Sequence, residues 1–271
     1  MDFEKTGYLT ENYKYFHIKD KSDRVFDYHY HDFYKIIFFV KGDVTYNVEG
    51  KSYELKPMDF VLVGKNEIHR PILNPDAEDE RIVVYLSDSF LSTDISTDFS
   101  LKDCFNKASM SHINVVHFSS QDSIRLQDML MRAMDTMDSD IYGYEALSTL
   151  YLTEFLIKFN ELIAKNGISY NGQVQYNEKI VNLTDYINSH LSEDLSIEVL
   201  SDKFFLSRYH LMRLFKECTG FTIHQYIIDK RLLYVRKLAD DGYKVKDACV
   251  MAGFTDYQMY LRARKNHDLK N

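Results

Sequence analysis

The spacing of apolar positions changes twice along the chain, and each change marks a different kind of element. Between Tyr28 and Leu86 apolar residues fall in short runs, IIFFV, VTYNVEG, KSYEL, DFVLVG and RIVVYL, separated by the turn-forming segments KGD, VEGKS and NPDAED. Alternation at Val44, Tyr46 and Val48 places every second side chain on one face, the mark of a strand with one buried side. Several strands at this spacing predict a small antiparallel barrel or sandwich. Beyond Ser119 the period lengthens. Ile124, Leu126, Met129, Leu130, Ala133 and Met137, then Leu147, Leu150, Leu152, Leu156 and Ile163, predict two helices broken near residues 139–143. The polar segment KNGISYNGQVQY, residues 165–176, has two glycines and no periodicity and reads as a linker.

After the linker the pattern is helical throughout. Ile180, Leu183, Ile187 and Leu191 form one stripe; Ser196 and Ser207 are placed as N-caps, with Leu195 and Leu200, then Leu206 and Leu211, as hydrophobic staples. Gly220 and Gly242 stand where helices end. The fold class predicted is α+β in two domains: an antiparallel β-barrel over residues 1–118 with a helical segment at 119–165, a linker at 166–177, and an all-α domain at 178–271.

Composition narrows the class. With 45% hydrophobic residues in 271, the chain can bury real cores. Cys104, Cys218 and Cys249 are scattered and form no CxxC pair, which argues against a disulfide framework or a structural zinc site. The longest apolar run, Ile36 to Val40, is far too short to span a bilayer, so the reading is a cytoplasmic protein with no membrane segment. The net charge of −8 is unevenly spread: residues 178–271 hold 15 Lys+Arg against 13 Asp+Glu, a balance of +2, and the acidity lies in the first part. So small an excess gives weak nonspecific attraction to nucleic acid, and any DNA affinity must lean on specific contacts and on a dimer.

Within the helical part Arg213 and Arg262 lie 49 residues apart, in LSDKFFLSRYHLMRLFKE and ACVMAGFTDYQMYLRARK. At the same offset Leu211 matches Tyr260, Lys216 matches Lys265 and the cap Ser207 matches Asp256. In the helix after Ser207, Leu211, Leu214 and Phe215 form the inward face, which leaves Arg208, Tyr209, Met212, Arg213 and Lys216 outward. An exposed Arg can grip guanine O6 and N7, Tyr and Met can touch thymine methyls, and Lys can meet a phosphate. A single helix of this kind is most simply a solvated basic face; two at a fixed offset point to a DNA-reading pair.

Residues 178–267 resemble the double helix-turn-helix domain of AraC-type bacterial transcription regulators, in LSIEVLSDKFFLSRYHLMRLFKECTGFTIHQYIIDKRL and MAGFTDYQMYLRARK. The resemblance implies binding to double-stranded DNA, with Tyr209, Met212 and Arg213 reading bases in the first unit, Tyr257, Gln258, Leu261 and Arg262 in the second, and Lys265 beside them. Two successive major-groove segments lie about 34 Å apart, so one chain would cover a long half-site. Two departures fall in the second unit: Arg264 stands where the first unit has Phe215, and the sequence reaches Asn271 without the Gly-x-x-Pro turn and closing helix usual in the family. A charge at an inward position costs several kcal/mol unless it snorkels or finds a partner, so a loosely packed second unit is expected, with the first dominating sequence reading.

Residues 28–86 resemble the cupin-like sensor domain that often precedes such a DNA-binding domain, in YHYHDFYKIIFFVKGDVTYNVEGKSYELKPMDFVLVGKNEIHRP. His29 and His31 share a strand face, and His69 falls where cupin enzymes have a later histidine ligand. Lys35, however, occupies the position of their metal-binding glutamate, so no metal or other cofactor is assigned and an enzyme is the weaker alternative, beside a DNA-binding-defective interaction protein. His29, His31, Tyr34, Lys35 and His69 are instead candidates for binding a small effector, a sugar or a small carboxylate, at the barrel mouth; equally, the aromatics could be core filling and the histidines strand-end residues. The apolar seam of residues 121–165 can pair two subunits, where the resemblance places the dimer contact, or simply cover the barrel; a homodimer is expected.

Overall fold

The computed structural model describes residues 9–21, 25–93, 99–168, 170 and 174–268. Its elements run β1 (Tyr13–Asp20), β2 (Tyr34–Lys41), β3 (Val44–Val48), β4 (Lys51–Glu54), β5 (Asp59–Val63), β6 (His69–Leu73), β7 (Asp79–Leu86), α1 (Asp88–Leu91), α2 (Asp103–Ser111), β8 (Val115–His117), α3 (Ser120–Met137), α4 (Tyr144–Asn166), β9 (Val174–Tyr176), α5 (Glu178–Ser189), α6 (Ile197–Lys203), α7 (Arg208–Thr219), α8 (Ile223–Asp240), α9 (Val245–Met251) and α10 (Tyr257–Asp268).

The expected small antiparallel barrel takes the form of two facing sheets, ordered β1-β7-β2-β5-β8 and β6-β3-β4-β9. Between them lies a core of Ile37, Phe39, Val44, Tyr46, Val48, Val61, Val63 and Val83. The alternate residues of the same strands, Ile36, Phe38, Phe60, Leu62, Ile82 and Val84, point the other way, into a second core shared with α3 and α4. Period-two side chains on a sheet covered on both faces explain why β2 is buried from Tyr34 to Phe39.

β1 was not legible, because Lys14, His17 and Lys19 interrupt its apolar pattern; it pairs with β7 from Tyr13↔Leu86 to Asp20↔Asp79. The short elements β6, α1, α2 and β8 were also missed. Ser119 caps α3, its side chain accepting from the Asp122 amide, and the predicted break between the two helices holds. Much of the expected pairing seam is turned inward. Leu126, Leu130, Ala133, Leu152, Leu156 and Ile163 are buried under the five-stranded sheet, while Ile124 and Leu150 remain exposed.

Part of the predicted linker, residues 169 and 171–173, lies outside the described residues. Its last part is a strand: β9 pairs antiparallel with β4, from Lys51↔Tyr176 to Tyr53↔Val174. Asn177 then caps α5, its side chain accepting from the Lys179 amide. Two caps fall where expected, Ser196 accepting from Val199 and Ser207 from His210, and Thr222 starts α8 with a capping box to Gln225.

The helical domain has two cores. Ile180, Leu183, Leu200, Leu211, Phe215, Phe221 and Tyr226 form one together with Tyr28, Tyr30 and Ile68 of the sheet domain. Val235, Leu238, Ala248, Cys249, Ala252, Phe254 and Tyr260 form the other. Among the described residues no helix is long and apolar enough to cross a membrane.

Candidate functional site

In the first unit α7 buries Leu211 and Phe215, and this leaves Arg208, Tyr209, Met212, Arg213 and Lys216 exposed on the opposite side. Two of the basic groups make ion pairs within the unit, Arg208 with Glu198 at 2.7 Å and Arg213 with Glu217 at 3.8 Å. In water such pairs are worth a few tenths of a kcal/mol to about 1 kcal/mol, little enough for a phosphate or a guanine to displace. In the second unit α10 is capped by Asp256, whose Oδ1 accepts from the Met259 amide at 2.7 Å. It buries Tyr260 and exposes Gln258, Leu261, Arg262 and Lys265, while Tyr257 is half-buried against the second core.

Arg264 is not the inward charge that the offset implied. It lies on the exposed side of α10, and Ala263 packs against the core instead. The core contact of α10 thus runs through Tyr260 and Ala263, the counterparts of Leu211 and Leu214, and not through the counterpart of Phe215. The two turns differ as well. In the first unit the helix-ending residue in the left-handed region is Phe205 (φ 52°), and in the second it is Gly253 (φ 87°). Leu206 N–H then donates to Ser201 O and Phe254 N–H to Cys249 O, both at 3.0 Å. The first helices thus align 48 residues apart and the second helices 49, so the second turn carries one extra residue and buries Phe254.

In the sheet domain, four of the five predicted ligand residues converge. Lys35 projects between the sheets, its Nζ 3.1 Å from His69 Nε2. The rings of His29 and His31 lie 4.3 and 4.8 Å from that of His69. Each imidazole places its Nδ1 on a main-chain carbonyl, His29 on Asp27, His31 on Phe33 and His69 on Glu67, at 2.9, 2.7 and 3.0 Å. Those carbonyls fix the Nδ1–H tautomer and leave all three Nε2 atoms as lone-pair acceptors. Burial, then the Lys35 charge, holds His29 down to about 4 and His31 and His69 well below the usual imidazole range. Burial pushes Lys35 itself down to about 7, aided by Arg81. Among the described residues no group of three His, Cys, Asp or Glu side chains is arranged to hold a metal ion.

Tyr34 does not join them. It is the strand neighbour of Lys35, so it faces the other core, packing on Phe105 with Lys102 over its ring at 4.8 Å. Residues that the sequence reading missed take part instead. A cavity of about 550 Å³ is lined by Lys35 and His29 together with Tyr28, Tyr46, Arg81 and Tyr85. Tyr85 pairs directly with Lys35 across β2 and β7, and Arg81 has the same parity on β7. Parity along a strand was the available signal against Tyr34; Tyr85 and Arg81 needed the register of β7 on β2 as well.

The cavity wall touches the helical domain. Tyr28 lines the cavity, and its hydroxyl donates to Cys218 O and accepts from Asn47 Nδ2, both at 3.1 Å. Close by, Glu49 accepts from Tyr226 Oη at 2.7 Å and from Lys230 Nζ at 2.8 Å, and Lys230 also donates to Asn66 O at 3.0 Å.

A sheet domain enclosing a polar cavity and followed by two helix-turn-helix units defines a DNA-binding regulator with a ligand domain. Residues 13–156 match the AraC-like ligand binding domain and residues 200–267 a helix-turn-helix domain, and the chain belongs to the AraC family of transcription regulators. It is 22% identical over 229 residues to the HTH-type transcriptional regulator YbfI of Bacillus subtilis (strain 168), covering 84% of this chain and 78% of that protein. To the multiple antibiotic resistance protein MarA of Escherichia coli (strain K12) it is 30% identical over 89 residues, 32% of this chain and 70% of that protein. Among solved structures it is similar to ToxT from Vibrio cholerae strain SCE256, with 17% identity and a TM-score of 0.42 over 95% of this chain and 94% of that one.

Proposed function

We propose that this regulator binds a specific double-stranded DNA site through α7 and α10 and a small effector in the cavity between its sheets. The observation that carries the first half is the shared layout of the two helices: each buries one face and exposes an arginine, Arg213 or Arg262, at the same point of the opposite face. Arg208, Tyr209, Met212 and Lys216 flank the first; Tyr257, Gln258, Leu261 and Lys265 flank the second. A guanidinium at this position pairs with guanine, the hydroxyl and apolar groups meet base edges and thymine methyls, and the lysines meet phosphate.

The effector half rests on His29 and Lys35 lining the cavity, with His31 and His69 packed behind them, which offer polar contacts to a sugar or a small carboxylate among aromatic walls. Tyr28 supplies the route between the halves, since one residue lines the cavity and hydrogen-bonds the end of α7. An effector that displaces its ring shifts the first unit, by no more than its preference for one arrangement over the other. Exposed Ile124 and Leu150 mark α3 and α4 as the surface where two chains pair, and bivalency offsets the weak charge of the reading domain. Acting on DNA, the protein belongs in the cytoplasm.

The test is a competition assay: binding to duplexes from around the protein's own coding region, at two salt concentrations, for wild type and Arg213→Ala. Specific binding that the variant loses supports the reading, and binding with no sequence preference at either salt would sink it.

A further inference from the structure

The cavity between the sheets holds a group that neither DNA binding nor ordinary hydrogen-bonded recognition calls for, a buried primary amine with an imidazole lone pair on it. Lys35 is 6% exposed, with His69 Nε2 at 3.1 Å from its amine and the ring of Tyr85 at 5.2 Å. A structural buried lysine is ordinarily held as a cation by a carboxylate, and no ion pair of Lys35 with one occurs among the described residues within the reach of a salt bridge. His69 cannot donate to it from Nε2, because its proton sits on Nδ1 against Glu67 O. The amine is therefore the donor in that contact, and its own lone pair is left for the cavity. Burial and the nearby Arg81 guanidinium bring its pKa to about 7, so a large fraction is neutral at physiological pH. An amine that is desolvated, beside another cation and next to a base has the attributes of an imine-forming lysine.

Resting on the reading of this cavity as the effector site, we propose that the effector is a small oxo acid held by Lys35 as a reversible imine. The Lys35 nitrogen attacks the carbonyl carbon and forms the N–C bond, while His69 Nε2 takes a proton from the amine. That proton passes to the oxygen and gives the carbinolamine; the second proton of the nitrogen then follows the same path through His69 to the hydroxyl, and the C–O bond breaks to release one water as the C=N bond forms. No oxidant or reductant is consumed. The carboxylate selects among carbonyl compounds by reaching Arg81, which lines the same cavity and faces the same way as Tyr85, the partner of Lys35 across the strands. The guanidinium also pairs with Asp79, and its planar fork of donors suits a carboxylate. Ile37, Val83, Tyr46 and Tyr85 give the bound chain apolar and aromatic walls to pack against.

The experiment uses the full chain with pyruvate, 2-oxoglutarate and, as a carbonyl without a carboxylate, acetone, each with and without sodium cyanoborohydride. Thermal stability reads binding without reductant; intact mass and peptide mapping read trapping with it. The expected result is one reduced adduct per chain from an oxo acid, mapped to Lys35, at least tenfold more abundant than at any surface lysine or with acetone. Lys35→Met, which keeps the volume and removes the amine, abolishes it, and mapping on the wild type locates the adduct even if that variant folds poorly. Stabilisation by an oxo acid with no adduct overturns the imine but keeps the effector reading. Labelling spread evenly over surface lysines also overturns it, and the absence of both binding and adduct overturns the oxo-acid class as well.

Discussion

The two helix-turn-helix units share a sequence pattern and differ in what holds them. The first shares its core with Tyr28, Tyr30 and Ile68 of the sheet domain and is tied to it through Glu49, Tyr226 and Lys230. The second packs on the far half of α8 and meets the rest of the chain at the α5–α6 connection, where Arg231 donates to Leu191 O at 2.9 Å and to Glu193 O at 2.8 Å. The turns differ in the same sense. Phe205 holds a left-handed backbone and is 91% exposed, at a cost that a glycine would avoid, whereas Gly253 uses that freedom to lie against Leu191 O. A repeated motif thus keeps its reading face while its stability comes from different neighbours.

The comparison is open to attack at four points. The largest effect is expected from Gly253→Ala: the new Cβ would lie 2.1 Å from Leu191 O and 2.9 Å from Arg231 Nε, at a φ of +87°. About 3 kcal/mol should be lost, given steric strain on backbone and an unfavourable φ. Hydrogen exchange should speed up in α9 and α10 and not in α6 and α7; equal acceleration in both would mean that the units do not open separately. Next, Glu49→Ala removes an acceptor shared by Tyr226, Lys230 and the Ile68 amide, leaving Tyr226 with Asn188 and Lys230 with Asn66 O, and costs about 2 kcal/mol. Here denaturation and exchange should report loosening of the first unit alone. Third, with Arg264 outward, no packing defect handicaps the second unit, so Arg213→Ala and Arg262→Ala should each cost about 1–3 kcal/mol of DNA affinity. A loss confined to Arg213→Ala would restore the dominance of the first unit. The smallest effect is from Phe205→Gly, which relieves the left-handed strain of a side chain and should raise stability by about 0.5–1 kcal/mol; a fall on calorimetry would mean that the ring is packed in solution.

Legibility followed the strength of local signals. Helix ends were readable because Ser119, Ser196, Ser207, Thr222 and Gly220 announce them through their own hydrogen bonds or backbone freedom. The strands β2 to β5 and β7 were readable as short apolar runs; β6 was not, and neither was β1, since its pairing with β7 overrides a charged pattern. At the cavity, His29, His31, Lys35 and His69 stood out by residue type, and Tyr34 was included by proximity in sequence although strand parity turns it away. Arg81 and Tyr85 required the register of β7 on β2, which only the folded sheet supplies. The outward placement of Arg264 was not legible, because the 49-residue offset sets it against the buried Phe215, and only the folded helix shows Ala263 making the core contact instead.

The pairing of β9 with β4 bears on how this protein can be cut and recombined. Three residues that look like tether belong to the sheet of the N-terminal domain, and Asn177 alone separates them from α5. A fragment divided within residues 166–173 would carry that strand away with the helices, and the edge of β4 it leaves behind would be bare and prone to join another chain. A division after Tyr176 keeps the sheet whole. Exchange of ligand domains between relatives should respect the same seam, with the strand inherited alongside the domain it completes.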